Sequence, residues 1–333
     1  MVTERAILEA FEQGDPRGLA RAITRCESGA GAGLIHALHA RAGAALTIGL
    51  TGPPGVGKST LTAALVRKLR TLDRRVGVIS VDPSSPFSHG ALLGDRIRLS
   101  EHFLDPAVFI RSMASRGHLG GVAGATADAV ALMDAFGLQV VIVETVGVGQ
   151  SELEIAELAD TTIVALQPGS GDSVQTLKAG ILEIADVFVV NKADHPMALQ
   201  LQREIRSMLE MLDYSGWPPP LVATQAVDGN GIDELWAAIE AHHAYLRRTG
   251  ELAVKRRAAF AHRVRQLALG AIERRLDAAI DTTIGAPAAH ESPIERDDPY
   301  AIADRITAGL MQAREPVARV APVAYVRARV RGL

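Results

Sequence analysis

One cysteine in 333 residues, Cys26, removes two kinds of chemistry at once. It cannot close a disulfide within the chain or build a cysteine-based metal site, and it points to a reducing, intracellular setting. Aromatic residues are scarce as well, at 4%, so the core has to be made of Leu, Val, Ile and Ala. With 48% hydrophobic residues there are enough of these for a large one. No apolar run reaches the ~18 residues that a membrane-spanning helix needs. An excess of basic charge is missing too. The formal net charge is −3, which argues against a general nucleic-acid binder. The first residues, Met1-Val2-Thr3-Glu4-Arg5, lack the basic-then-apolar layout of a secretion signal. The expectation is a cytoplasmic protein of about two folded units, with no membrane or nucleic-acid partner.

What is present in full is a phosphate-binding signature. Gly52-Pro53-Pro54-Gly55-Val56-Gly57-Lys58-Ser59 matches G-x-x-x-x-G-K-[ST]. The apolar run Leu46-Thr47-Ile48-Gly49-Leu50 ahead of it is long enough for a strand and too short for a helix. Behind it, Leu61, Leu65, Leu69 and Leu72 recur at helical spacing. Strand, glycine turn and helix are the setting such a loop requires. Glycines let backbone N–H groups close on phosphate oxygens, and the helix N-terminus adds partial positive charge. Gly52, Pro54, Gly55, Val56, Gly57, Lys58, Ser59 and Thr60 are therefore the expected triphosphate cradle. Lys58 would reach the β- and γ-phosphates, and Ser59 would ligate Mg²⁺.

Residues 1–44 read as two or three short helices, an N-terminal helical extension. Ile7, Leu8 and Phe11 form one apolar stripe, Gly14-Asp15-Pro16 breaks it, and Leu19, Ala20 and Ile23 form the next. Ile35 and Leu38 begin a third. His36 and His39 stand one turn apart, but with no third ligand nearby they read as surface histidines. Residues 45–245 alternate apolar runs with helical stretches, the pattern of an α/β domain with a mostly parallel sheet covered by helices on both faces. The predicted strands are 46–51, 76–82, 140–145, 161–167, 186–191 and 221–224. In such sheets ligands bind at the carboxyl ends of the strands.

Polar residues gather at those ends. Asp82 follows one strand and is placed to hold Mg²⁺ or its water shell, although an Asp before Pro83 also starts turns for local reasons. Residues 83–125 read as a polar, glycine-punctuated connection suited to a γ-phosphate switch, with Asp95 a second candidate near the metal, or as a surface loop in which Asp95 is solvated. Glu144 takes the place of the acidic strand-end residue of phosphate-loop enzymes. Beyond it, Gly147 could offer its N–H to the γ-phosphate and Gln150 could orient the attacking water. Ser151-x-x-Glu154 reads as a capping box. The loop Gln167–Lys178 carries two glycines with Asp172 and Lys178; it is a second charged loop beside the nucleotide, or a plain loop and helix start with Asp172 near the cap. Asn191-Lys192-Ala193-Asp194 matches N-K-x-D and decides the base. The Asp194 carboxylate can accept from the ring N–H and 2-amino group of guanine, whereas adenine would leave it unpaired. Asn191 would brace neighbouring loops and the Lys192 stem would cover the base. Gln225 and Ala226, after the last strand, are the expected backbone contacts to the base.

Residues 246–333 form a C-terminal helical arm. A long amphipathic helix over 251–281 carries Phe260, Val264, Leu267, Ile272 and Leu276 on one stripe. Its other face holds Arg256, Arg257, Arg263, Arg265, Arg274 and Arg275, and the expectation for that face is solvent. A linker at 282–297 precedes a last helix at 298–313 and an Arg- and Val-rich tail. The stripe must be covered by the preceding domain or by a second copy, and a homodimer is favoured.

Together these stretches resemble the MeaB/ArgK-type GTPases, relatives of the human methylmalonic aciduria type A protein within the SIMIBI class of phosphate-loop GTPases. Gly52–Thr60, Val81–Pro86, Gly94-Asp95, Leu119–Ala123, Glu144–Glu152, Pro168–Lys178 and Asn191–Asp194 carry the resemblance, which spans roughly residues 15–245. It implies a chaperone for an adenosylcobalamin-dependent acyl-CoA mutase, gating cofactor loading and helping to remove inactivated cofactor. With no water-positioning Gln directly after Gly147, slow intrinsic GTP turnover completed by a partner is expected. It also implies Mg²⁺ among Asp82, Asp95 and Glu144, a partner-sensing switch at Gly169–Lys178, and dimers through the C-terminal arm. Residues 250–333 match only loosely. Two other classes are weighed against this. A kinase needs an acceptor pocket and usually ATP, which Asp194 opposes. A metallochaperone GTPase needs Cys or His clusters, and this chain has one Cys and ten scattered His.

Overall fold

The computed structural model describes residues 2–83, 99–115, 121–145, 151–169, 182–211, 216–284 and 298–312. Its contacts divide the chain into two units, Met1–Leu267 and Ala268–Leu333. The first opens with α1 (Glu4–Glu12), α2 (Pro16–Glu27) and α3 (Ala32–Leu38). Thr3 and Asp15 cap the first two by accepting from Ala6 N and Arg17 N, and Pro16 sits at the first helical position, where its missing N–H costs nothing. The predicted break at Gly14-Asp15-Pro16 lies between them.

There follow β1 (Leu46–Thr51), α4 (Lys58–Thr71), β2 (Val76–Pro83), β3 (Val108–Ser115), α5 (Gly121–Ala135), β4 (Val140–Glu144), α6 (Ser151–Leu158) and β5 (Thr161–Leu166). A helical turn at Leu182–Ile184 leads to β6 (Val187–Asn191), α7 (Ala198–Glu210), β7 (Leu221–Thr224), α8 (Ile232–Thr249) and α9 (Glu251–Ile284). The second unit holds the end of α9 and α10 (Pro299–Gln312). All six predicted strands are present to within a residue or so at each end. The strand order is β3-β2-β4-β1-β5-β6-β7 and every pairing is parallel. This is the α/β phosphate-loop architecture expected from the alternation of apolar runs.

One strand was not predicted. The stretch read as a polar connection over 83–125 contains β3, paired in register with β2 from Val76↔Val108 to Pro83↔Ser115. Arg111 and Ser112 interrupt its apolar run, which hides it from a periodicity argument. In the fold the Arg111 guanidinium is paired with Glu27 of α2, so a charge in this strand is compensated rather than solvated.

Side chains of the strands alternate between two faces, as the pleat dictates. Ile48, Leu50, Ile142, Ile163, Val187 and Val189 pack with α4 and α8, including Leu61, Leu65, Leu235 and Ile239. On the other face, Ile79, Val81, Val141 and Val143 pack with α1, α2, α3 and α5. Val164, Leu166, Phe188 and Val190 pack with Ala198, Leu201 and Ile205 of α7. Cys26 lies in the second of these clusters, and burial, with Asp128 adding to it, pushes its thiol up to about 12. It is a packing residue and not a nucleophile.

The amino-terminal side of the sheet receives the start of α9, and two of the six arginines expected to face solvent, Arg256 and Arg263, are instead bound to carboxylates there. Arg256 makes two bonds to the buried Asp160 carboxylate (Nε–Oδ1 2.8 Å, Nη2–Oδ2 2.7 Å) and donates to the carbonyls of Gly43 and Ala45. Arg263 pairs with Asp128 of α5 at 2.8 Å. A Cβ on Gly124 would lie 2.5 Å from its guanidinium, so the glycine makes room for it. The planar five-donor guanidinium suits such carboxylate and carbonyl sites, a property that an amphipathic count scores as solvent exposure. Arg257, Arg265, Arg274 and Arg275 are exposed as expected. Phe260, Val264, Leu267 and Ile272 remain exposed, with the Phe260 ring stacked over His39 at 5.9 Å.

Beside Arg256, His242 of α8 is 2% exposed and lies 2.9 Å from Thr161 Oγ1 and 3.3 Å from Asp186. Lys255 reaches the other Asp186 oxygen at 3.2 Å. Burial holds the His242 imidazole below its ordinary 6.5, outweighing the Asp186 carboxylate, which pulls the other way. The unfolded chain therefore takes up a proton that the folded protein refuses. This contribution to stability is complete above about pH 6.5 and is lost as pH falls from there towards the lowered folded value. Chemical denaturation at a series of pH values should show stability falling below pH 6.5, with a shallower slope in His242→Gln. The same slope in both proteins would rule out His242 as the source.

Candidate nucleotide site

The strand order reverses on either side of β1, and the crevice at that point lies beyond the carboxyl ends of β1, β4, β5, β6 and β7. The phosphate loop leaves β1 at Thr51 and enters α4 at Lys58. Gly52, Gly55 and Gly57 all have positive φ (141°, 80° and 93°). A Cβ on Gly52 would overlap the Ala165 carbonyl of β5, and one on Gly57 would lie 2.7 Å from Asn191 Nδ2. These two glycines let the loop press against its neighbours, while Pro54 and Gly55 face solvent and Thr60 is half-buried. Val56 is fully buried.

Lys58 is buried, and its Nζ donates to the carbonyls of Gly52 (2.7 Å) and Pro53 (3.0 Å). The ammonium is thus held over the mouth of its own loop. Ser59 Oγ lies 2.7 Å from Glu144 Oε1, and Thr62 Oγ1 lies 2.9 Å from Glu144 Oε2, with Glu144 buried at the end of β4. A hydroxyl and a carboxylate at this separation form an all-oxygen donor set, which suits a hard cation such as Mg²⁺. Next to Glu144, Thr145 Oγ1 is 3.0 Å from Thr51 Oγ1, a tie between the roots of the β1 and β4 loops.

On the other side of the crevice, Asn191 is buried and joins three segments. Its Nδ2 donates to Val56 O of the phosphate loop at 2.8 Å, and its Oδ1 accepts from Thr224 Oγ1 and Ala226 N at 3.0 and 3.2 Å. The bracing role expected of it is what the geometry shows. Lys192 has φ 55°, a left-handed conformation unfavourable for a side chain with a Cβ. Its Nζ bridges the Gly55 carbonyl (2.9 Å) and Gln167 Oε1 (2.6 Å), so its stem is drawn across the crevice. Asp194 is exposed just beyond it. Gln225 is half-buried and bonded to Asn230, and Ala226 is buried beside Asn191.

Contacts join Gly52 to Lys58, Ser59 to Glu144, Gly55 to Lys192, and Val56, Gly57 and Ala226 to Asn191. Pro54, Thr60, Asp194 and Gln225 lie on the same loops and helix without a contact, among the described residues, that ties them to the others. Asp82 lies at the carboxyl end of β2, two residues past the Ser80↔Glu144 register, and its side chain is outside the described residues. Asp95, Gly147, Gln150, Asp172 and Lys178 also lie outside the described residues. Reasoning from sequence missed Thr62 and Gln167. Thr62 stands one helical turn past Ser59 on the same face of α4, a spacing that was readable. Gln167 carried no such signal. Among the described residues no helix is long and apolar enough to cross a membrane, and no three His, Cys, Asp or Glu residues are grouped to hold a metal ion.

Residues 19–281 match the family described as Methylmalonyl Co-A mutase-associated GTPase MeaB. A protein of Pyrococcus horikoshii is 45% identical over 280 residues, covering 82% of this chain and 88% of that one. GTPase ArgK of Escherichia coli is 38% identical over 266 residues, covering 76% of this chain and 80% of that one. Among solved structures, one titled LAO/AO transport system kinase superposes with a TM-score of 0.67 at 26% identity, over 93% of this chain and 99% of that one.

Proposed function

We propose, because this chain belongs to the MeaB family of methylmalonyl-CoA mutase-associated GTPases, that it hydrolyses GTP slowly by itself and faster on a partner mutase. In this reading it is a cytoplasmic chaperone that gates the loading of adenosylcobalamin into an acyl-CoA mutase and assists removal of damaged cofactor. The observation that carries the nucleotide half is Asn191, which ties the phosphate loop to the loop after β7 and leaves Asp194 facing solvent where a purine edge would arrive. Lys58 would exchange its two loop carbonyls for phosphate oxygens. Ser59 and Glu144, with Asp82 and Asp95, would hold Mg²⁺ and its waters. Bound there, the ion would neutralise charge on the β- and γ-phosphate oxygens. Gly147 and Gln150 would meet the γ-phosphate and the attacking water, and Asp172 and Lys178 would respond to the partner. Residues 45–245 would form the GTPase domain, and residues 246–333 an arm through which two copies pair; the exposed Phe260, Val264, Leu267 and Ile272 support that pairing.

Phosphate release from GTP and ATP, measured with and without an adenosylcobalamin-dependent acyl-CoA mutase, tests the proposal. The expected result is slow GTP turnover, little ATP turnover, and stimulation of the first by the mutase. Equal turnover of the two nucleotides would overturn the guanine reading, and label transferred to an acceptor other than water would favour a kinase. GTP turnover that no such mutase alters would remove the chaperone role.

A further inference from the structure

We infer that Thr62 is a positioning residue for Glu144 and sets how tightly the metal is held in the nucleotide site. This rests on the reading of the crevice as a guanine-nucleotide and Mg²⁺ site. Glu144 is a glutamate where the corresponding strand-end acid of phosphate-loop enzymes is an aspartate, so its carboxylate stands one methylene further from the backbone with one more torsion to fix. Both oxygens are engaged from the same helix: Oε1 with Ser59 Oγ and Oε2 with Thr62 Oγ1. Ser59 and Thr62 are one turn apart on α4, both are buried, and their hydroxyls hold the two ends of one carboxylate.

The two bonds have different fates when a cation arrives. Ser59 is the residue whose hydroxyl would turn to a bound metal, and its hold on Oε1 would then loosen. Thr62 lies deeper in the helix, away from the phosphate loop, and its bond to Oε2 can persist. It keeps the carboxylate plane aimed at the metal shell and lowers the ordering cost of capturing the ion. Without that hydroxyl the carboxylate retains its charge but loses the bond that holds Oε2 to α4, so ion capture weakens while the contacts of phosphate and base with the protein are untouched.

The test compares Thr62→Val, which keeps the branched shape and removes the hydroxyl, with Thr62→Ser, which restores it. Release of a fluorescent GDP analogue is followed while free Mg²⁺ is varied, beginning with excess chelator. In Thr62→Val the Mg²⁺ concentration for half-maximal retention should rise about tenfold, as expected for one charge-assisted hydrogen bond. Affinity in chelator should stay at the wild-type value, and Thr62→Ser should lie within about twofold of wild type throughout. An unchanged Mg²⁺ midpoint in Thr62→Val would overturn the inference. So would an equal loss of affinity in chelator, which would mark Thr62 as a packing residue only. Failure of the wild-type protein to retain the GDP analogue at any Mg²⁺ concentration would instead remove the guanine-nucleotide reading beneath it.

Discussion

An Asp194→Asn variant is expected to lose GTP affinity by roughly two to four orders of magnitude and to gain affinity for xanthosine triphosphate. The Asp194 carboxylate is an acceptor only, and guanine presents two donors on one edge, the ring N–H and the 2-amino group. Two charge-assisted bonds at about 1.5–3 kcal/mol each account for that range. An asparagine amide offers one acceptor and one donor. It clashes with the 2-amino group but matches xanthine, which carries an oxygen at that position. Nothing else at the site need change, because Asn191 and Lys192 hold the loops by contacts that do not involve Asp194. Competition titrations with GDP, XDP and ADP on both proteins measure the effect. A variant that still prefers GDP over XDP would mean that the base lies elsewhere.

The second large effect concerns stability. Arg256→Ala is expected to destabilise the protein by about 3 kcal/mol, the low end of the cost of breaking a buried ion pair. The Asp160 side chain is only 4% exposed, whereas that of Arg256 is 34% exposed, which argues for the low end. Asp160 also accepts from Thr47 N at the start of β1, so an uncompensated charge there disturbs the strand that carries the phosphate loop. Arg257→Ala, at the next residue and exposed, should stay within about 0.5 kcal/mol of wild type. Denaturant midpoints for the two variants decide it. If both shift equally, the contacts of Arg256 contribute nothing beyond those of a solvated arginine.

These two residues mark what was readable in the chain. Asp194 belongs to a four-residue motif whose chemistry is local, and a strand ahead of it was evident from Val187-Phe188-Val189-Val190. The phosphate loop was legible for the same reason, and the parallel sheet followed from continuous apolar runs. Arg256 meets its partner 96 residues away, and Arg111 of β3 meets Glu27 across 84. Neither separation leaves a trace in local periodicity. The rule that a charge faces water misplaces Arg256, and the reading of 83–125 as a polar connection hides the edge strand that carries Arg111. Thr62 is intermediate. Its spacing from Ser59 is legible in the sequence, but its significance depends on Glu144 arriving from a strand 82 residues later.

The most direct measurement of the central claim is a pair of calorimetric titrations of the wild-type protein, with GDP and with ADP, in Mg²⁺. The account predicts one GDP per chain, bound at least a hundredfold more tightly than ADP. Equal affinity for the two, or no heat from either, would contradict it.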